Sequence, residues 1–495
     1  MTLSLIRSAV APFMRGMSAS AWLTDEEMRA KKVALCRRYV EGDHRADLTP
    51  EMRRMLRVSG DGSLNEFNDN LCPIIVSTRV DRLTFLRAEA DTDAGTEWGE
   101  AIYRANRLDA LQVDVHNAAI RDGRTFVLVD METLDDGTTR PRITHEPAFD
   151  GSYGVIPFYA TDADRKMLFA LKLWRLTTKE VGDTVRVNVY HEDRIERYIT
   201  NGTDSMTLLP YDADGQEPVL PWVDSAGEPL GVPLVEFRNH DSISEIENVI
   251  PLQDALNRTL VSMVMTAELT AFPIRVLIGD KAPAGITPGM MLSFYARDAN
   301  GNATAPTSDT VVEWLKTIRL DQWAQGDIVP YIEQARFLKD EIFAVTNTPD
   351  EGASSNASGE SLKQREIKLL GQLQRFQVKN GNAWEDTFWL AHRLQQAFGM
   401  QQPPALAELN AKWKDAQLRN KQELIALANA VRDYVDRRTY LELVAECFDW
   451  SAYKIDQIMA EKEREREIEV RNSVRGFAEN IFGQQRGMTL EPSIE

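Results

Sequence analysis

Three residues have the types that could carry chemistry: Asp150, Asp164 and Lys166. In a metal-dependent nuclease core, carboxylates hold a divalent cation while a lysine aids the attacking water. The requirement is geometric, because Asp164 and Lys166 share a face only if they lie on a strand. Thr161-Asp-Ala-Asp-Arg-Lys166 reads instead as the turn between two strands, so no such site is expected. Asp212-Ala-Asp-Gly215 resembles part of a calcium loop, but the closing glutamate would fall at Pro221, which cannot bind the ion. The chain has no GxxxxGK[ST] phosphate loop, no HExxH and no GxSxG elbow, and its histidines (His44, His116, His145, His191, His240, His392) are scattered. Cys36, Cys72 and Cys447 show no CxxC spacing and read as buried free thiols. No catalytic residue, metal or cofactor is expected.

The elements that would position any site change character along the chain. Thr24-Asp-Glu-Glu27 reads as a capping box opening a helix that Gly42 ends, and a second helix is expected from Thr49-Pro50. Ile74 to Phe85 suggests a buried helix or a helix–strand pair, and residues 98–120 carry helical spacing. Short β-branched and aromatic runs between about 124 and 238, separated by Asp136-Gly137, Gly182-Asp183 and Asn201-Gly202, predict an antiparallel β region. Helical periodicity returns at Ser242-Ile-Ser-Glu245, with Pro251 expected to bend or restart the helix. A strand at 271–279 and a loop-rich insertion follow. Ile328, Ile332, Ala335, Leu338, Ile342 and Val345 then form a narrow apolar stripe, closer to a packing seam than to a broad core face. Thr346 to Ser358 has almost nothing to bury and is expected to be an exposed loop. A very long helix runs to Gly399, and the chain is expected to stay helical beyond Pro403-Pro404. The fold class is α+β.

At 495 residues the length suggests about three units at a soft prior of roughly 150 residues each. A net charge of −19 makes the chain a poor general DNA binder, because phosphate recognition wants a basic face. An acidic wall would suit a conduit along which DNA slides. Against that background residues 1–57 hold eleven Lys and Arg to seven Asp and Glu, a local positive excess. No apolar run reaches the length of a membrane helix and no signal-peptide core is visible, so the chain is expected to stay in the cytoplasm of the cell that makes it, without membrane contact.

One stretch carries a resemblance. Gly231-Val-Pro-Leu-Val-Glu-Phe-Arg-Asn239, Ser244-Glu-Ile246 and Ile250-Pro-Leu-Gln-Asp-Ala-Leu-Asn257 occur in order. Ala267-Glu-Leu-Thr-Ala-Phe-Pro-Ile-Arg-Val276, Gly279, Thr346-Asn-Thr-Pro349 and Asn356-Ala-Ser-Gly-Glu-Ser-Leu-Lys363 follow. In order and spacing these strings resemble the portal proteins of long-tailed phages.

That resemblance implies a dodecameric ring at one capsid vertex of the virion. The channel would pass double-stranded DNA during packaging and ejection. Partners would be other copies of the chain, the terminase large subunit, a head–tail adaptor, and the major capsid protein with its scaffold. Residues 1–245 would be wing, 246–268 a first stem helix and 269–324 a small α/β clip. Residues 325–345 would be a second stem helix, 346–358 a tunnel loop, 359–400 a long wing helix, 401–475 a helical crown and 476–495 a tail. The tunnel loop would place Asn347, Thr348, Asp350, Glu351, Ser354, Ser355 and Asn356 toward DNA. Having no Lys or Arg, it would meet DNA by steric contact and repulsion. Ile328, Ile332, Ala335, Leu338 and Ile342 would form the subunit seam, and Arg275, Arg297, Asp298 and Asn300 would serve clip docking. A nuclease, or another virion adaptor or minor capsid protein, remain the alternatives. The stripe also fits ordinary core, and the polar segment an ordinary linker.

Overall fold

The computed structural model describes residues 19–43, 69–160, 166–178, 182–200, 208–211, 217–271, 275–278, 291–294, 300, 319–322, 327–349, 359–416, 421–432, 434–448, 455, 457–468 and 470–471. Two compact units are present, Met1–Ala416 and Gln417–Glu495.

In the first unit, α1 (Ala19–Glu41) buries Ala30, Val33, Cys36 and Tyr39, a three-residue spacing that keeps one face inward. It already runs from Ala19, so Thr24 lies inside the helix and is not its cap. The nearby Glu26 instead pairs with buried Arg124. The helix expected at Thr49-Pro50 lies outside the described residues. α2 (Cys72–Val80) has a proline in its first turn and is followed by β1 (Phe85–Ala90), the expected helix–strand pair.

α3 (Asp93–Ala105) is capped by Thr92, whose hydroxyl accepts from the Gly95 amide at 3.1 Å. Arg107 takes a left-handed conformation (φ 51°) that splits the helical stretch, and α4 (Leu108–Asp122) follows. α4 ends at Gly123 (φ 83°), where a Cβ would stand 2.6 Å from the Ser242 carbonyl oxygen, so only glycine fits.

The β region forms two sheets. β2 (Arg124–Thr133) lies between β3 (Thr139–Glu146) and β10 (Leu234–Arg238), antiparallel to both, and its first six residues are all buried. The second sheet is a meander of β4 (Gly154–Tyr159), β5 (Met167–Thr178), β6 (Gly182–His191), β7 (Arg194–Thr200) and β8 (Leu208–Pro210), with β9 (Val219–Pro221) also on β7. One face of this sheet builds its own core from Ile156, Phe158, Leu171, Leu173, Val187 and Val189.

α5 (Ile250–Ala271) begins one residue before Pro251, so the proline starts the helix and does not bend it. The segment ahead of it is a short 3-10 turn (His240–Ser242) and an irregular stretch where Ser244 Oγ accepts from the Ile246 amide. β11 (Arg275–Ile278) lies between β12 (Met291–Phe294), parallel to it, and β13 (Arg319–Gln322), antiparallel to it. α6 (Val329–Thr346) and α7 (Gly359–Phe398) follow.

α7 crosses β2, β3, β10 and β1 and carries Trp384, the largest fully buried side chain among the described residues. Trp384 stacks on Phe85 at 5.0 Å between ring centroids, with Phe388 and Phe237 beside them. Just after Pro403-Pro404 the described residues up to Ala416 are not helical, and helix returns at Lys421 as expected for the later part of the chain. Leu409–Trp413 is a strand, β14, antiparallel to β1 with Phe85 opposite Trp413. The sequence there has no strand signal strong enough to outweigh its helical surroundings, and β1 supplies the partner.

The second unit contains α8 (Lys421–Val431) and α9 (Arg437–Phe448), packed together. Leu441, Ala445 and Ile455 form its small core, and residues 457–468 are helical and highly charged. Among the described residues no helix is long and apolar enough to cross a membrane.

Candidate functional site

Asp150 is already committed. Its Oδ2 accepts from Arg37 Nη1 at 2.8 Å, and its Oδ1 accepts from the Ser152 and Tyr153 amides, which makes it a turn-capping residue in an ion pair. Arg37 simultaneously binds Asp122 and the Ala148 carbonyl. Lys166 is exposed and pairs with Glu192 at 3.1 Å, and Asp164 lies outside the described residues. Among the described residues, no group of three His, Cys, Asp or Glu side chains is placed to hold a metal ion. The nuclease reading therefore loses its first carboxylate to a structural arginine.

The helices α5 and α6 come from separate stretches of sequence and pack side by side. α5 contributes Leu256, Val261 and Met265 as buried residues, and α6 contributes Leu338, Ile342 and Phe343. Of the predicted seam, Ile328, Ile332 and Ala335 are half-buried, while Leu338 and Ile342 belong to the core of the chain itself. Within the single chain Ile342 is 0 % exposed. The apolar side chains that α6 leaves in solvent are others: Val329, Phe337 and Val345. Phe337 is the largest of them, at 64 % exposure.

The upper end of α5 is bolted down by two buried amides one helical turn apart. Gln253 accepts from the Leu71 amide at 3.1 Å and donates to the Asp69 carbonyl at 2.6 Å. Asn257 accepts from the Asp69 amide at 2.9 Å. Beside them Tyr39 donates its hydroxyl to Asp254 at 2.6 Å, and burial together with that carboxylate pushes the phenol well above its ordinary range. A Gln-x-x-x-Asn pair on an otherwise apolar helix face was the available signal, but its partners lie some 180 residues away in sequence.

At the C-terminus of α6, on the same side of the pair, Asn347 (φ 53°) caps the helix in the left-handed conformation. Thr346 and Thr348 are buried, with their hydroxyls 2.8 Å apart. The predicted loop therefore does not begin as an exposed segment. Its first residues are held by Arg79, whose burial lowers its pKa while the nearby Glu245 carboxylate partly restores it. Asp350, Glu351, Ser354, Ser355 and Asn356 lie outside the described residues. Of the clip residues, Arg275 pairs with Met291 and Gln322 in the backbone register and Asn300 is an exposed turn residue. Arg297 and Asp298 lie outside the described residues.

The family profile described as "Phage portal protein, SPP1 Gp6-like" matches residues 24–467, most of the chain. The chain belongs to this phage portal protein family. Among curated relatives, the portal protein of Mycobacterium phage D29 is 26% identical over 218 residues, 39% of this chain and 41% of the relative. The portal protein of Mycobacterium phage L5 is 25% identical over 258 residues, 48% of each. The match thus spans less than half of either relative's length. Phage portal proteins are structural, non-enzymatic components of the virion. In this portal-family chain the features that invite a functional reading are accordingly helix faces and a loop, with the carboxylates serving as struts.

Proposed function

We propose that the chain is the subunit of a dodecameric portal ring at one capsid vertex, assembled in the host cytoplasm on the major capsid protein and scaffold. Double-stranded DNA passes through its central channel during packaging and ejection. The observation that carries this reading is the pairing of α5 with α6 around the short strands β11, β12 and β13. Two helices leaving and re-entering a fold side by side, with a small sheet at their far end, suit a stem that projects a clip.

In this reading residues 269–324 present Arg275, Arg297, Asp298 and Asn300 to the terminase large subunit and later to the head–tail adaptor. The connection from Asn347 to residue 358 is the tunnel loop. Residues 1–245 and α7 are wing, and residues 401–475 are crown. Neighbouring stems meet through the half-buried Ile328, Ile332 and Ala335 and the exposed Val329, Phe337 and Val345, since apolar side chains left in solvent on a helix are an interface in waiting. The acidic balance suits a wall that DNA slides along without sticking.

Negative-stain microscopy of the purified protein tests the proposal. Annular particles with a central hole are expected, together with masses near twelve chains by mass photometry. A monodisperse monomer at micromolar concentration would overturn the ring.

A further inference from the structure

Both roots of the connection between α6 and α7 are held from one place in the fold. Arg79, in the last turn of α2, donates through Nη1 to the Ile75 carbonyl at 2.8 Å and to Thr348 Oγ1 at 3.3 Å. Its Nη2 donates to the Thr346 carbonyl and lies 3.2 Å from Glu245 Oε2, ahead of α5. Three residues later Arg82 donates through Nη2 to Glu366 Oε1 at 2.9 Å, in the early turns of α7. The two arginine side chains are 3% and 8% exposed.

We propose that Arg79 and Arg82 are positioning residues, a two-point anchor. It fixes where the chain leaves α6 and where it re-enters as α7, and ties both points to the segment that leads into α5. The consequence for DNA rests on reading that connection as the tunnel loop.

The chemistry favours a locating role over a merely stabilising one. A buried guanidinium is costly to desolvate, and replacing a buried ion pair by well-packed apolar side chains is often neutral or stabilising. Among the described residues, Arg79 Nε and Arg82 Nη1 moreover meet no hydrogen-bond partner, so neither group is satisfied there as a purely stabilising residue would be. What arginine supplies is a planar fork that reaches several acceptors on different elements at fixed angles, which a lysine cannot reproduce. Arg79 joins α2, the end of α6 and Glu245 in this way, and Arg82 adds α7.

Hydrogen exchange on the assembled full-length protein tests the anchor, read in peptides covering residues 343–348 and 366–376, with residues 124–133 as an internal control. Arg82→Gln is expected to raise exchange at 366–376 about tenfold, the scale of one lost charge-assisted hydrogen bond, and to leave the control unchanged. Arg79→Lys, which keeps the charge and loses the fork, should do the same at 343–348. Should Arg79→Lys fail to fold, Thr348→Val removes one acceptor without stranding a charge and should raise exchange there about threefold. Wild-type protection at both roots in the folded variants overturns the anchor, and so does a rise spread equally over the control. Retention of packaged DNA by particles carrying Arg82→Gln is read separately. Loosened roots with leaking particles support the anchor and its consequence for DNA. Loosened roots with normal packaging and retention leave the anchor standing and remove the tunnel-loop reading.

Discussion

Trp384 Nε1 donates a hydrogen bond to His116 Nε2 across 3.2 Å in the fully buried centre of the first unit. Because Nε2 accepts, the proton of the neutral imidazole sits on Nδ1, where it meets the Leu83 carbonyl at 3.2 Å. Burial pushes the imidazole pKa from 6.5 down to about 4. Protonation would abolish the Trp384 bond and place an unpaired charge among Phe376, Trp384 and Trp413.

A pH dependence of stability follows. The unfolded chain binds this proton near pH 6.5 and the folded chain only near 4. The contribution is therefore complete above about pH 6.5 and is lost as pH falls through the window down to about 4, by up to about 3 kcal/mol. His145 and His191 are also lowered by burial and act in the same direction. His116→Gln should flatten the dependence of the urea midpoint on pH between 6.5 and 4.5, read by tryptophan fluorescence. An unchanged slope would remove His116 from the account.

Gly123 must stay glycine. With φ at 83° and the Ser242 carbonyl 2.6 Å from where a Cβ would sit, Gly123→Ala combines backbone strain with a clash against main chain. It should cost about 2–3 kcal/mol and lower the melting temperature. A thermal shift of zero would mean that the 240–243 turn gives way freely.

Phe337 and Ile342 should separate assembly from folding. Phe337→Asp changes an exposed side chain, so circular dichroism and melting should stay near wild type while ring formation is lost in mass photometry. Ile342→Ala opens a cavity in the core and should cost about 2–4 kcal/mol whether or not rings form. Normal rings from Phe337→Asp would move the subunit contact to another face.

Gln253→Leu leaves the buried Leu71 amide and the part-buried Asp69 carbonyl without their partner. A loss of about 2–4 kcal/mol is expected, with local exchange rising at residues 69–71 before global unfolding. Since leucine is similar in size, packing loss contributes little, and an effect below about 0.5 kcal/mol would mean that water replaces the amide.

By itself the sequence determined the local elements and their order. The β runs from 124 to 199, the helix at 359–398 and the stripe of α6 are all legible from short-range periodicity and turn residues. The ordered strings between Gly231 and Lys363 pointed to the family. Tertiary structure alone decided what each face meets. The apolar stripe of α6 said that something covers Leu338 and Ile342, but only packing shows that the cover is α5 of the same chain. Residues 409–413 became a strand because β1, more than 300 residues earlier, offered an open edge. Asp150 has the residue type of a metal ligand, but Arg37 occupies its carboxylate, and Thr346 and Thr348 read as exposed polar residues although Arg79 covers them. The reason is one of range. Periodicity and turn chemistry act between residues a few positions apart, whereas the partner that neutralises a carboxylate or buries a hydroxyl is chosen by the whole fold.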